Sequence, residues 1–253
     1  MSATEFYDGL APYYHLIYED WESSIKRQGT ALDSVIRSFP HQPLRSVLDV
    51  ACGIGTQSLG LAAYGYDVTA SDISAKAIER ARLEAVRRSL SVAFSVADMR
   101  GAHLHHAREF DVVLCADNSL PHLLSDQEIC ASLGEFFLCT KPGGLCIISV
   151  RDYATLERGG AQVKPYGVRV HGETRYILFQ VWTWRDSLYD VSFYIVHDVG
   201  GSDCHTVVLR STYYAISVAD LIRLMYKAGF ANVQRIDNEF FQPLIVGVRP
   251  SGA

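Results

Sequence analysis

From Ser46 onward the apolar residues fall into short continuous runs, separated by stretches in which they recur every three or four positions. The continuous runs are "RSVLDVAC", "YDVTASD", "SVAFSVADM", "FDVVLCAD" and "LCIISVRDY". Runs of this kind, bounded by glycine or polar residues, fit strands covered on both faces. Helical spacing marks "TQSLGLAAYG", the stretch from Ser74 to Arg88, and "SDQEICASLGEFFLCTKPGG". Gly65 reads as a C-cap, Ser74 as an N-cap, and Pro142 with its two glycines as the stop of the last helix. Up to Tyr153 the order is strand, helix, strand, helix, strand, loop, strand, helix, strand. With right-handed connections, that order predicts a doubly wound, mostly parallel α/β sheet.

The flanking segments differ. Upstream, Ile25, Leu32, Val35, Ile36 and Phe39 share one helical face, and Pro40 and Pro43 end that segment. Downstream, "RVHGETRYILFQVWTWRDSLYDVSFYIVHD" and "CHTVVLRSTYYAIS" alternate apolar and polar positions around the turn "DVGGSD", which predicts antiparallel strands. "SVADLIRLMYKAGF" then gives an amphipathic helix ending at Gly229, and "NVQRI" and "PLIVGVRP" give two last strands.

Composition narrows the function classes. At 253 residues, 49% hydrophobic and 20% charged, the chain suits one large globular domain with an insertion. A net charge of −5 argues against a nucleic-acid partner, which favours a basic face. No apolar run has the length of a membrane span, and "MSATEFYDGLAPYY" lacks the basic and apolar regions of a secretory signal. The six cysteines form no C-x-x-C pair and sit mostly in apolar surroundings, so reduced, buried thiols and a cytoplasmic location are expected. "HLHH" at His103 to His106 falls in the loop after the third strand without further ligands, and no metal is expected there.

Candidate chemistry gathers at the strand ends. The first strand runs into "VLDVACGIGTQ", where Gly53 and Gly55 let a ligand approach the backbone. Asp72 closes the second strand, placed to accept hydrogen bonds from both hydroxyls of a ribose. Asp98 and Met99 close the third, in position for an adenine amino group and ring, and Asp117-Asn118-Ser119 close the fourth. Ligands of open α/β sheets lie beyond this rim, so a nucleoside site is predicted. A dinucleotide fingerprint would need a third glycine where Ser58 stands.

Asp49-x-x-Cys52-Gly53-x-Gly55, taken with Asp72 and Ala97-Asp98-Met99, resembles the class I S-adenosylmethionine-dependent methyltransferases. The similarity spans residues 45–152 and returns in the last helix and strands. It implies a seven-stranded Rossmann-like methyltransferase fold with S-adenosyl-L-methionine as cofactor. By that resemblance Gly53 and Gly55 admit the methionine part, Asp72 takes the ribose, and Asp98 and Met99 take the adenine. Asp49, Ala51, Ile73, Ala116 and Asp117 complete the core of the cofactor site. Tyr14, Trp21 and Arg27 would reach it from the N-terminal segment, Arg27 toward the cofactor carboxylate. "ADNSLPHLL" and "SVRDY" are similar to segments of the glycine and sarcosine N-methyltransferase group. There, Asn118 and His122 would orient the acceptor nitrogen and Arg151 would bind an amino-acid carboxylate. Otherwise Arg151 is a strand-end arginine paired with Asp152. Tyr153, Tyr176 and Tyr213 are the remaining candidates for the substrate pocket.

The resulting division is a helical lid over residues 1–43, a cofactor-binding core over 44–153 and 214–253, and an antiparallel insertion over 154–213 that lines the substrate site. The aromatic stretch with Tyr7, Tyr13, Tyr14, Tyr18 and Trp21 either closes over the cofactor or packs on the sheet. The favoured function is methyl transfer to a small polar acceptor, with an amine nitrogen of an amino acid or related metabolite first. A hydroxyl acceptor with His122 as base, a carboxylate acceptor, an NAD-dependent dehydrogenase using Asp72, and a non-catalytic cofactor-binding domain are the rivals. The only partner implied is a small molecule; a homo-oligomer is compatible with the sequence and not decided by it.

Overall fold

The computed structural model describes residues 1–39 and 43–251. Pro40, one of the two prolines proposed to end the first long helix, lies outside the described residues. The chain opens with α1 (Ala3–Leu10) and α2 (Trp21–Arg37). The core follows: β1 (Ser46–Asp49), α3 (Thr56–Ala63), β2 (Asp67–Asp72), α4 (Ala75–Arg87), β3 (Val92–Val96), α5 (Ala102–His106), β4 (Phe110–Cys115), α6 (Asp126–Cys139) and β5 (Thr140–Ser149). Four long strands come next: β6 (Ala161–His171), β7 (Thr174–Arg185), β8 (Leu188–Asp198) and β9 (His205–Tyr214). The chain closes with α7 (Val218–Lys227), β10 (Ala231–Ile236) and β11 (Leu244–Val248).

The main sheet has seven strands in the order β10-β11-β5-β4-β1-β2-β3, with β11 the one antiparallel to its neighbours. This is the doubly wound α/β fold that the order of elements predicts. Successive residues of each central strand enter different cores. Val47, Val112, Leu114, Leu145 and Ile147 pack under α2, α3 and α4. Leu48, Val113, Cys115, Cys146 and Ile148 pack under α6 and α7. Burial on both faces is why these strands read as unbroken apolar runs.

Helix α2 crosses α3 at two glycines. A Cβ on Gly29 would stand 2.8 Å from the Gly60 backbone, and one on Gly60 would stand 2.7 Å from the Ile25 carbonyl oxygen. The close approach seats the N-terminal segment on the core. Farther up, Asp8 of α1 accepts a hydrogen bond from the Ser74 hydroxyl at 2.6 Å, joining α1 to the start of α4.

The second sheet is antiparallel, in the order β6-β7-β8-β9. Its inner face meets α1 through Leu178, Phe193, Ile195 and Leu209 against Phe6 and Leu10.

Three local expectations are corrected. "TKPGG" is not the tail of α6 but the start of β5, because Arg249 caps the helix end by donating to the carbonyls of Phe137 (3.1 Å) and Thr140 (2.6 Å). Strand β6 begins at Ala161, earlier than the alternating pattern, which Pro165 and Gly167 interrupt; the ladder shifts register between them, and Pro165 is tolerated on this edge strand. "HLHH" forms the short helix α5 rather than a loop. His105 and His106 bond to Ser95 (3.0 Å) and Ser71 (3.2 Å). No group of three metal-ligating side chains occurs among the described residues.

Candidate active site

The turn after β1 is built around two carboxylates. Asp49 is buried, accepts the Ser58 hydroxyl at 2.6 Å and the Ala51 N–H at 3.3 Å, and so braces the turn from below. Burial pushes its carboxyl up to about 7. Asp72 stands at the end of β2 and accepts the Gly53 N–H at 2.8 Å and the Ser74 N–H at 2.9 Å. It too is raised by burial, against the pull of those N–H groups. Each Asp72 oxygen keeps lone-pair capacity for a further donor. Gly53 has φ +53, and a Cβ there would meet the Tyr14 ring at 3.0 Å, so both conformation and space call for glycine.

Above the turn lies a chamber of about 330 Å³. Of the sequence candidates, Tyr14, Ala51, Gly53, Asp72, Ile73, Asp98, Met99 and His122 line it. Tyr7, Arg100 and Glu128 line it as well. Asp98 is engaged by its neighbour: the Arg100 side chain donates to both carboxylate oxygens. Burial raises the Asp98 carboxyl, but these bonds outweigh it and hold it below the usual carboxylate range.

The chamber fits a nucleoside better than a dinucleotide. Its walls carry three carboxylates, Asp72, Asp98 and Glu128, and the one guanidinium among them is committed to Asp98. A pyrophosphate would also need the N-terminal turn of α3. That turn is covered by α2: Trp21 donates to Thr56 at 2.9 Å, Gln57 donates to Gln28 at 2.7 Å, and Thr56, Gln57 and Ser58 are all buried.

Behind Tyr7 and Tyr14 lies a small cavity of about 50 Å³, walled also by Asp117, Arg151, Tyr166, Gln180 and Tyr213. Asp117, Arg151 and Tyr166 further line an outer cleft of about 410 Å³ that reaches Arg27. Burial pushes the Asp117 carboxyl up to about 6, against the nearby Arg151 charge and the Tyr18 hydroxyl, which donates to it at 3.2 Å. Arg151 lies over the Trp182 ring, 5.3 Å from its centroid, and reaches the Tyr189 hydroxyl at 3.3 Å. The pairing of Arg151 with Asp152 does not occur, because Asp152 is taken by Arg235 at 2.8 Å. The Gln180 amide is fixed by the Trp182 indole, which donates to its Oε1 at 2.7 Å.

Other candidates lie elsewhere. Asn118 is buried, and its Oδ1 accepts the Arg151 N–H (3.0 Å) and the Tyr153 hydroxyl (2.9 Å), so it holds the loop that carries Arg151 rather than facing a cavity. Tyr153 is fully buried behind it. Tyr176 packs on Tyr13 and His197, away from Arg151. Trp21 lies under the guanidinium of Arg88 rather than in the chamber. Gly55, at φ +92, starts α3, and Ala116 is buried at the end of β4. The lining residues that the sequence reading did not single out include Arg100, Glu128, Tyr166 and Gln180, whereas Tyr7 belongs to the aromatic stretch named above. Gln180 did carry a signal, being the polar residue between Leu178 and Trp182 on an otherwise apolar strand face.

Residues 47–144 match a family described as a methyltransferase domain. This chain carries a class I S-adenosylmethionine-dependent methyltransferase domain. It is similar to the glycine/sarcosine N-methyltransferase of Parasynechococcus marenigrum (strain WH8102), with 34% identity over 145 residues, 57% of this chain and 50% of that protein's length. A second relative, the glycine/sarcosine N-methyltransferase of Aphanothece halophytica, is 27% identical over 77% of this chain and 81% of its own. In fold it is similar to Streptomyces venezuelae DesVI, with a TM-score of 0.80 and 20% identity over 95% of this chain and 98% of that one. The matched methyltransferase domain holds Gly53, Asp72, Asp98 and His122, whereas Arg151, Tyr166, Gln180 and Tyr213 come from beyond it. No helix among the described residues is long and apolar enough to cross a membrane.

Proposed function

We propose that the chain transfers a methyl group from S-adenosyl-L-methionine to the amine nitrogen of a small acceptor that also carries an anionic or polar oxygen group. The observation that carries this is the shared wall: Tyr7 and Tyr14 line both the nucleoside chamber and the small cavity holding Asp117 and Arg151. The bound cofactor supplies a methyl group activated by a positive sulfur. Asp72 accepts from the ribose hydroxyls, Met99 packs on the adenine, and Tyr7 and Tyr14 offer ring faces that suit a cationic centre. Arg27, at the far end of the outer cleft, is the candidate for the cofactor carboxylate.

The acceptor's needs are modest. Its nitrogen must present a lone pair, and positioning can contribute on the order of 7–11 kcal/mol to such a reaction. Asp117 attracts the ammonium form, takes its proton, and leaves the neutral amine beside the chamber. The nitrogen lone pair then forms the new N–C bond as the S–C bond breaks. Arg151 and the Gln180 amide suit an oxygen group on the acceptor, in keeping with the glycine and sarcosine named for the relatives. A hydroxyl acceptor would need a stronger base, and His122, driven down to about 3 by burial and the Arg151 charge, is a poor one.

Calorimetric titration with S-adenosylhomocysteine tests the cofactor, with Asp72→Asn as control; loss of charge-assisted bonds of about 1.5–3 kcal/mol predicts roughly 10- to 150-fold weaker binding. A labelled-methyl assay on glycine, sarcosine, amino sugars and phenols then tests the acceptor. Transfer to phenols alone would overturn the amine reading, and no binding by the wild type would overturn the cofactor.

A further inference from the structure

The four-stranded sheet carries an apolar patch on its outer face as well as an apolar inner face. Its inner face is accounted for by α1 and by the Trp182, Tyr189 and Tyr213 cluster. On the outer face the register brings Val163 beside Val181, then Pro165, Phe179, Tyr194 and Val208 into one row, and Val168, Ile177 and Val196 into the next. Val163, Val168 and Val170 are 64%, 52% and 72% exposed, and the Phe179 and Tyr194 rings stack on the surface at 4.8 Å with a 6° interplanar angle. An antiparallel sheet with one wet face alternates apolar and polar residues. In these three rows the outward positions stay mostly apolar, with only Ser192, Arg210 and Thr206 polar among them, and Val163, Val168 and Val170 stand open to solvent.

We propose that this face is the interface of a two-fold symmetric dimer, each copy covering the other's sheet. Size, anatomy and charge argue for a second copy. Four strands about 4.8 Å apart and some ten residues long, at about 3.3 Å per residue, present roughly 600 Å² each, or about 1,200 Å² for the pair. That reaches the range of specific interfaces, and two sheet faces stack at about 10 Å as in a sandwich. The apolar rows are central and the ends polar, the anatomy of an association surface. Both ends carry one ion pair of mixed sign: Arg175 with Asp198 at one, and Arg185 with Asp190 at 2.7 Å at the other. A two-fold axis parallel to the strands, between β7 and β8, lays β7 of each copy over β8 of the partner, so that at both ends an arginine on β7 meets an aspartate on β8.

Sedimentation velocity of the full chain across a micromolar dilution series tests this. The wild type is expected at twice the mass of one chain. Ile177→Lys and Val168→Lys, both on the outer face, are expected at the mass of one chain with an unchanged far-ultraviolet spectrum. Val168 is already half exposed, so its variant reports even where a lysine at Ile177 disturbs the strand. A monomeric wild type would overturn the proposal, and so would a dimer that survives both variants. Neither result depends on methyl transfer.

Discussion

The Tyr7 hydroxyl lies 2.8 Å from Nε2 of His122, and Nδ1 of the same ring faces the Ser211 hydroxyl at 3.3 Å. One residue comes from α1, one from the loop after β4 and one from β9, so a single imidazole joins the N-terminal segment, the core and the second sheet. The ring stays neutral well below its ordinary range.

The first prediction concerns that ring. Its folded pKa, about 3, lies below the unfolded value, so its contribution to stability is present above about 6.5 and is lost as pH falls from there toward 3. His122→Asn should flatten the stability profile between pH 3 and 6.5 and leave no change in turnover centred near 6.5. Paired unfolding curves across that range check it; equal slopes in wild type and variant would show that His122 is not the group concerned.

Asp117 titrates in the opposite sense. Its folded pKa is raised to about 6 over an ordinary 3.8, so it favours folding at low pH, and that contribution is lost as pH rises through 6. The same deprotonation prepares it to accept a proton. The rate should therefore rise with pH through about 6, and Asp117→Asn should remove that limb and lower kcat/KM by roughly 10²–10⁴-fold. Asp49 and Asp72 are also raised, so the informative quantity is the difference between wild type and variant. An unchanged acidic limb in Asp117→Asn would assign the proton elsewhere.

What could be read from the sequence follows from period and position. Strand ends in a parallel sheet point one way, so Gly53, Asp72, Asp98 and Asp117 reach one rim without any knowledge of packing. Distance along a strand is harder to use. Tyr176 and Gln180 face the same side of β7, yet four residues at about 3.3 Å each carry Tyr176 out of reach of Arg151. Asn118 illustrates another limit: its Oδ1 accepts from the Arg151 N–H and the Tyr153 hydroxyl while its Nδ2 has no partner among the described residues, and burial of that kind leaves no mark on composition.

The crossing of α2 and α3 predicts a strong effect from a small change. A methyl group at Gly29 or Gly60 must displace backbone rather than a flexible side chain. Gly29→Ala and Gly60→Ala should each cost about 1–3 kcal/mol, lowering Tm by roughly 3–10 °C in a chain of this size. Calorimetric melting decides it. A Tm within a degree of wild type would mean that the helices separate freely, and that the N-terminal segment is not seated by this contact.

Arg151 separates acceptor recognition from cofactor binding. Its guanidinium lies over Trp182, reaches Tyr189 and shares its cavity with Asp117, but forms no ion pair with a carboxylate within 4 Å among the described residues. A cation held against aromatic rings without such a partner is placed for an anionic ligand. Lysine keeps the charge and loses the planar fork that fits a carboxylate. Arg151→Lys should therefore raise the acceptor KM by roughly 30-fold, about 2 kcal/mol, and change S-adenosylhomocysteine affinity little. Arg151→Met, which keeps the apolar contact with Trp182 and drops the charge, should raise KM further. Equal losses in acceptor KM and cofactor affinity would instead place Arg151 against the methionine end of the cofactor. Arg151 and Arg27, which line the same outer cleft, would then both serve the cofactor.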